Sequence, residues 1–384
     1  MIYLDNAATS FPKPPEVLAA IAHYATTIGA SPGRSSHRLA ADAGRLVFQA
    51  REQAARLFHV NDSSRIIFTK NVTEALNLAI FGLVQPGDRV LTTAMEHNSV
   101  IRPLRYLEQE GRITLEIIPA STAGEPDIDQ LQRRLRQHSF QLAVLNHGSN
   151  VTGSIFPLAR VISLLKDEGI TVIVDGAQTA GAIPINLTTL ACDVFCFTGH
   201  KSLLGPQGTG GMVLQEGIMP TPLIRGGTGS RSEAEYQPEF LPDYYESGTL
   251  NTIGLAGLGA ALTFINQTTA SEIHHREREL ARKLWQGLSA IAGLRLYGPA
   301  ADHDRLPIIS FTLNKLTPAE IAFNLDRHHK IMVRVGLHCA PLAHKTIGTF
   351  PQGTVRLAPG YFNTDREMET VIKAIGKMAV HNPA

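Results

Sequence analysis

The sequence predicts an α/β fold, with a large domain built on a mainly parallel sheet flanked by helices and a smaller α+β C-terminal domain. Three observations predict it. Between residues 65 and 214, short apolar runs alternate with helix-like segments, the order of a sheet assembled from crossover connections. Runs such as Leu142-Ala143-Val144-Leu145 and Thr171-Val172-Ile173-Val174 lack polar alternation, so helices are expected on both faces of the sheet. After residue 250 the strands become sparse and long helices separate them. The expected division is residues 15–250 for the large domain, and residues 1–14 with 251–384 for the small one.

The elements follow in chain order. Ile2-Tyr3-Leu4 reads as a short strand, prolines 12, 14 and 15 as a turn, and Pro15 to about Tyr24 as a helix. A polar loop, Ser31 to His37, precedes a longer helix over Arg38–Phe58, in which Leu39, Ala43, Leu46, Val47, Ala50, Ala54 and Leu57 recur with helical spacing. Strands are expected at 65–69, 89–92, 113–118, 142–145 and 171–174, with helices at 71–81, 101–109, 128–136 and 161–168 between and beside them. Asp193-Val194-Phe195-Cys196-Phe197 is a further strand that runs into Thr198-Gly199-His200-Lys201, where Gly205, Pro206 and glycines 208, 210 and 211 prevent a long helix. A strand at 210–214 and a loop-rich stretch through Thr249 come next. The helix from Thr252 to Phe264 is expected to lead away from the large domain. The remainder reads as helices at 274–291, 318–328 and 365–378, with strands at 307–311, 331–334 and 354–357.

Composition narrows the function classes. The 384 residues are 43% hydrophobic, enough for a substantial core, and 35 basic residues against 34 acidic ones give a net charge of +1. With no long basic run, neither nucleic acid nor an anionic membrane is an expected partner. The opening MIYLDNAAT has no basic leader, and no stretch approaches ~18 uninterrupted apolar residues, so a cytoplasmic protein is expected. Three cysteines, Cys192, Cys196 and Cys339, are too few and too odd for a disulfide framework. Cys192 and Cys196 read as packed thiols and no metal site is expected. Cys339 lies in a glycine- and proline-containing loop, the setting of an exposed nucleophile.

Ligands of open α/β sheets bind beyond the carboxyl ends of the strands. The polar residues expected there are Thr73, His97, Asn150, Asp175, Gln178, His200 and Lys201. An amine held among apolar and cationic neighbours loses its proton readily, as an imine-forming lysine must. Thr73, with Val72, opens a helix whose free N–H groups suit a phosphate. Alone, Asp175 reads as a loop carboxylate or helix cap, His97 as a structural hydrogen-bonding group and Gln178 as a polar loop residue. Beside a lysine-bound heteroaromatic cofactor, Asp175 would pair with a protonated pyridine nitrogen, His97 would stack on the ring and Gln178 would donate to a phenolic oxygen. There is no Gly-x-x-x-x-Gly-Lys-Ser/Thr run and no Gly-x-Gly-x-x-Gly turn after an early strand, so a P-loop nucleotide site and a nicotinamide site are unsupported. The set fits pyridoxal 5'-phosphate.

Eight segments carry a family resemblance: YLDNAAT (3–9), NVTEALN (71–77), MEHNS (95–99), SNVTG (149–153), VDGAQ (174–178), TGHK (198–201), SGTLN (247–251) and RVGLHCA (334–340). Together, and over almost the whole chain, they resemble the fold-type I pyridoxal 5'-phosphate enzymes of the class V aminotransferase family, in the branch of cysteine desulfurases and selenocysteine lyases. The resemblance implies that Lys201 holds the cofactor, Asp175 faces its ring nitrogen, His97 stacks on the ring and Gln178 meets its phenolic oxygen. It further implies phosphate ligands at Thr73, Thr198 and His200, with Thr249 reaching across the interface of a homodimer. Asn150, Arg356 and Arg34 would then bind the substrate, the first two at its carboxylate. Cys339 would take sulfur from L-cysteine as a persulfide, leaving L-alanine, and a sulfur-acceptor protein would follow. Two positions depart from the family pattern: Leu337 replaces the first of two paired histidines, and Gly33 stands where a histidine is common. Selenocysteine lyase, another cysteine lyase or eliminase, and a non-catalytic sulfur-transfer partner remain as alternatives.

Overall fold

A computed structural model describes residues 1–33 and 36–381. In chain order its elements are β1 (Ile2–Tyr3), α1 (Pro15–His23), α2 (Arg38–Phe58), β2 (Ile66–Thr69), α3 (Val72–Leu83), β3 (Asp88–Thr93), α4 (Asn98–Gln109), β4 (Ile113–Ile118), α5 (Ile128–Gln137) and β5 (Leu142–Asn146). They continue with α6 (Leu158–Asp167), β6 (Thr171–Asp175), α7 (Leu187–Leu190), β7 (Val194–Thr198), β8 (Gly210–Leu214), α8 (Thr252–Thr268), α9 (Ala270–Ser289) and β9 (Leu294–Tyr297). The last are β10 (Ile309–Leu313), α10 (Pro318–His329), β11 (Ile331–Met332), β12 (Arg334–Gly336), α11 (Pro341–Thr346), β13 (Thr354–Leu357) and α12 (Asp365–His381).

Among the described residues, seven strands form the main sheet in the order β2-β8-β7-β6-β5-β3-β4. The run from β7 to β4 is parallel throughout, and β8 is antiparallel to both of its neighbours. Successive residues of each strand enter opposite cores, which is why the sequence lacks polar alternation. Leu145, Val174, Phe195 and Phe197 pack on one face with α2, α6 and α8. Val144, Ile173, Val194 and Cys196 pack on the other with α3 and α4. This double coverage is the arrangement expected of buried parallel strands.

Helix α8 does not lead away from this sheet. Its Leu255, Leu258, Ala261, Leu262 and Ile265 are buried in the same core as Phe58 and Phe195. A helix apolar on several sides has to be covered on several sides, and α1 and α2 supply that cover.

A second sheet runs β12-β13-β10-β9, and its core includes α9 and α12. Strand β9 was not foreseen, because the four residues Leu294-Arg295-Leu296-Tyr297 follow a glycine and include a charge. The expected strand at 331–334 divides in two. Ile331 and Met332 pair in parallel with Ile2 and Tyr3, whereas Arg334, Val335 and Gly336 pair antiparallel with Arg356, Val355 and Thr354. The chain thus changes sheets at Val333. That change carries Asp5, bridged to Ala358, beside the strand that bears Arg356.

Candidate active site

The carboxyl ends of β3, β5, β6 and β7 converge on a cavity of about 290 Å³. It is lined by Val72, Thr73, His97, Asn150, Asp175, Gln178, Thr198, His200, Lys201 and Arg356, all residues singled out in the sequence. Two expected residues stand elsewhere, and Arg34 lies outside the described residues. Cys339 is exposed beside the lining rather than part of it. Thr249 lines separate clefts, one with Lys70 and Ile224 and another with Asp243 and Ser230. Its loop is fixed there by a buried pair: Arg51 Nη1 and Nη2 donate to the Glu246 carboxylate at 2.9 and 2.8 Å, and Phe68 N donates to Glu246 Oε1 at 2.7 Å.

Asp175 ends β6, and its Oδ1 accepts a hydrogen bond from Ala177 N at 2.9 Å. The residue between them must be glycine, since a Cβ on Gly176 would lie 2.2 Å from the Phe195 ring. Burial raises the Asp175 carboxyl above its ordinary range, and the nearby Lys201 ammonium opposes that rise. Lys201 follows β7 in a turn whose carbonyls are held by the N-terminal segment: Ser10 N donates to His200 O at 2.9 Å, Lys13 Nζ to the same oxygen at 3.0 Å, and Ser10 Oγ to Lys201 O at 2.8 Å. Burial lowers the Lys201 amine to about 8, helped by the Arg356 and Arg334 charges and opposed by Asp175. A group so shifted supplies free amine near neutrality.

His97 caps α4, its Nδ1 accepting from Ser99 N at 3.1 Å and meeting Ser99 Oγ at 2.9 Å. Ser99 Oγ also meets Thr73 Oγ1 at 2.9 Å, so a buried hydroxyl joins two predicted ligands. Burial, reinforced by Lys201, pulls His97 down to about 3, which keeps its ring neutral. A neutral ring stacks on a cationic heteroaromatic system without charge repulsion. Ser99 was missed as a site residue, although MEHNS ends on it. Asn71, Asn146, Arg334 and His338 also line the cavity and were not among the predicted ligands.

In the same cavity, Asn71 caps α3 by accepting from Glu74 N at 3.0 Å. The N–H groups of Val72 and Thr73 belong to the first helical turn, which provides them no partner. Beside them, Thr198 Oγ1 and His200 Nδ1 are buried without a hydrogen-bond partner. Burial holds His200 down at about 4, so its imidazole is neutral and one ring nitrogen remains a donor. A helix start with orphaned donors suits a phosphate, and the Asp175 carboxyl suits a protonated ring nitrogen. The donor set therefore fits pyridoxal 5'-phosphate. Gln178 Nε2 donates to Ala7 O at 3.0 Å, and its amide has a second N–H for a ring substituent.

Arg356 is 1% exposed; Nη1 donates to Asn150 O at 3.1 Å and Nη2 to Asp5 Oδ1 at 2.8 Å, while Nε has no partner. Next to it, Arg334 Nη2 lies 3.8 Å from Cys339 Sγ. His338 is buried, meets Thr354 Oγ1 through Nε2 at 3.2 Å, and is lowered to about 2 chiefly by burial. It is therefore a neutral imidazole, and the cationic neighbour within reach of Cys339 is Arg334. Leu337 beside it contributes no second imidazole. Among the described residues there is no cluster of three or more His, Cys, Asp or Glu suited to a metal, and no helix is long and apolar enough to cross a membrane.

Comparison with known proteins shows the family. The family model for aminotransferase class-V matches residues 2–371. A probable cysteine desulfurase of Pyrococcus abyssi is 32% identical over 98% of this chain and 94% of its own. A cysteine desulfurase of Escherichia coli O127:H6 is 31% identical over 98% of this chain and 93% of its own. The apo structure of a cysteine desulfurase from Thermococcus onnurineus NA1 superposes with a TM-score of 0.92 at 31% identity, covering 99% of this chain and 95% of that one. The protein belongs to the class V aminotransferase family, whose fold-type I enzymes work with pyridoxal 5'-phosphate.

Proposed function

We propose that the protein is a cysteine desulfurase that converts L-cysteine to L-alanine and takes the sulfur onto Cys339 as a persulfide. One observation carries this reading beyond the family: the cavity that holds Lys201 and Asp175 is continuous, through Arg334 and His338, with a loop that presents an exposed cysteine. Relatives named cysteine desulfurase support it.

In this reading Val72, Thr73, Thr198 and His200 bind the cofactor's phosphate, Lys201 holds its aldehyde carbon, and Asp175, His97 and Gln178 orient its ring. When bound, the cofactor supplies an electron sink next to the substrate's Cα. Arg356 and Asn150 bind the substrate carboxylate, the arginine through charge-assisted hydrogen bonds. Lys201 Nζ, freed where the substrate's amine takes its place, would take the Cα proton and later return a proton to carbon. Cys339 Sγ attacks the substrate sulfur: an S–S bond forms as the substrate C–S bond breaks, and the bonding pair stays on carbon, where protonation gives alanine. Arg334 Nη2 stabilises the attacking thiolate. The reaction balances without an external oxidant. A homodimer, with Thr249 serving the partner's site, and a downstream sulfur-acceptor protein complete the proposal.

The test is to incubate protein loaded with pyridoxal 5'-phosphate with L-cysteine, then quantify alanine and alkylation-trapped persulfide on Cys339. Equal yields of both in a single turnover are expected. Pyruvate without alanine would reject the desulfurase reading in favour of an eliminase.

A further inference from the structure

The residues at the substrate end of the cavity make a second set of contacts that carboxylate binding alone does not require. Asn150 is 6% exposed, and its Nδ2 donates to His338 O at 2.7 Å. Asn98 N, in the first turn of α4 beside His97, donates to Cys339 O at 2.7 Å. Both carbonyls belong to the loop that presents the thiol. That loop needs holding, because His338 has φ 47° and Cys339 φ 58°. Two successive non-glycine residues in the left-handed region are unfavourable for an L-chain, and such a conformation persists only where its surroundings fix it.

We propose that Asn150 is a positioning residue for the nucleophile, its side-chain amide tying the Cys339 loop to the carboxylate end of the substrate pocket. The inference rests on the desulfurase reading and deepens it. An amide has two N–H donors. One holds His338 O, and the other serves the incoming carboxylate, while the backbone oxygen of the same residue accepts from Arg356 Nη1 at 3.1 Å. Arg356, Asn150, His338 and Cys339 thus form one continuous chain of contacts. A carboxylate bound by Arg356 and Asn150 fixes the Asn150 amide and so steadies the loop in the docked position it already occupies, which couples substrate binding to thiol placement. The coupling is reciprocal, as any linkage between two binding events must be.

Amide hydrogen exchange in the cofactor-loaded protein tests the proposal without relying on turnover. The Asn98 and Ala340 amides report the docked loop, since they donate to Cys339 O and to Leu337 O. Asn150→Ala is expected to speed exchange at both about fivefold, the factor that one ordinary hydrogen bond confers on local opening, with exchange in β5 and β6 unchanged. Asn150→Asp, which cannot donate, is expected to do the same. In the wild-type protein L-alanine, the carboxylate probe, should slow exchange at both amides, and in Asn150→Ala it should not. If L-alanine binds the wild-type protein yet leaves both amides unchanged, the proposal is overturned however the variants fold. If Asn150→Ala raises KM for L-cysteine with wild-type exchange at both amides, Asn150 is a carboxylate ligand only and the proposal is equally overturned. Failure of the desulfurase reading is read separately, as pyruvate in place of alanine.

Discussion

Arg356 donates to Asp5 at 2.8 Å across 351 positions of sequence. The guanidinium is 1% exposed, so this carboxylate is the counter-charge that makes its burial tolerable. The pairing follows from the two sheets that meet at Val333, where β1 lies on β11 and β13 lies on β12. Asp5→Ala leaves the cation without an acidic partner. Removing one member of a fully buried pair costs about 3–5 kcal/mol, and the partial exposure of Asp5 reduces the expectation to about 2 kcal/mol. Asp5→Asn keeps an acceptor oxygen and should lose about half as much. Urea denaturation of the cofactor-free proteins at neutral pH measures both losses; an Asp5→Ala protein as stable as wild type would remove the counter-charge role.

Lys201 gives a stability that depends on pH in a defined direction. Its amine falls from 10.5 to about 8 on folding, mainly through burial. Between these values the unfolded chain binds a proton that the folded chain has lost, so this group's contribution to stability rises with pH across the window. Below pH 8 the folded protein carries a buried cation at a cost on the order of 3 kcal/mol. Lys201→Met removes that dependence. The stability of the variant minus that of wild type should be largest at pH 7 and shrink steadily towards pH 10, in cofactor-free protein. A difference that stays flat over that range would mean that the amine is not shifted. In the same variant turnover of L-cysteine should be abolished while noncovalent cofactor binding survives.

Ser99 joins His97 to Thr73 through one buried hydroxyl. With Ser99→Ala the backbone bond from Ser99 N still holds the imidazole, but Thr73 loses its partner. A single neutral hydrogen bond is worth about 1 kcal/mol. Affinity for pyridoxal 5'-phosphate should therefore fall by up to about fivefold, measured by equilibrium dialysis, and the cofactor-free protein should lose about 1 kcal/mol of stability, since the bond is formed without the cofactor. Unchanged affinity would show that the hydroxyl bridge plays no part in holding the phosphate end of the site.

Much of this site was legible because parallel strands announce themselves as apolar runs and place whatever follows them at one edge. Asp175 and Lys201 could be found in this way, the first as the last residue of a five-residue strand and the second three residues beyond the end of another. Relations carried by chain crossings were not legible. Nothing near Asp5 in sequence points to Arg356, and the sheet change at Val333 leaves no mark in a stretch that reads as one strand. Short elements also escaped. Residues 294–297 and 341–346 are too brief for a period to emerge, although Pro341 marks the start of the second. Ser99 and Glu96 were hidden for another reason: a serine and a glutamate at a helix entrance read as ordinary capping residues until their burial is known.

Glu96 is the more consequential of those two. It is 0% exposed; Oε1 accepts from Thr93 Oγ1 at 2.7 Å and from Asn146 N at 3.0 Å, while Oε2 has no partner. Asn146 lies in register with Asp175, so the acid braces the strand ends behind His97. Burial lifts its carboxyl from 4.5 to about 8, and the neighbouring Asp175 charge adds to the rise. The folded protein then keeps a proton that the unfolded chain has released, and this group's contribution is fully present below pH 4.5 and lost as pH rises to about 8. Glu96→Gln cannot ionise, so its stability relative to wild type should climb between pH 5 and pH 8. Glu96→Ala cannot ionise either and so follows the same rise relative to wild type, but it also strands the Thr93 hydroxyl and the Asn146 amide, which keeps it about 2 kcal/mol below Glu96→Gln at both pH values. Urea unfolding at pH 5 and pH 8 separates the two variants. If Glu96→Gln tracks wild type at both, the carboxyl titrates as an ordinary glutamate; a neutral acid here instead leaves Asp175 as the cavity's anionic group for the cofactor's ring nitrogen.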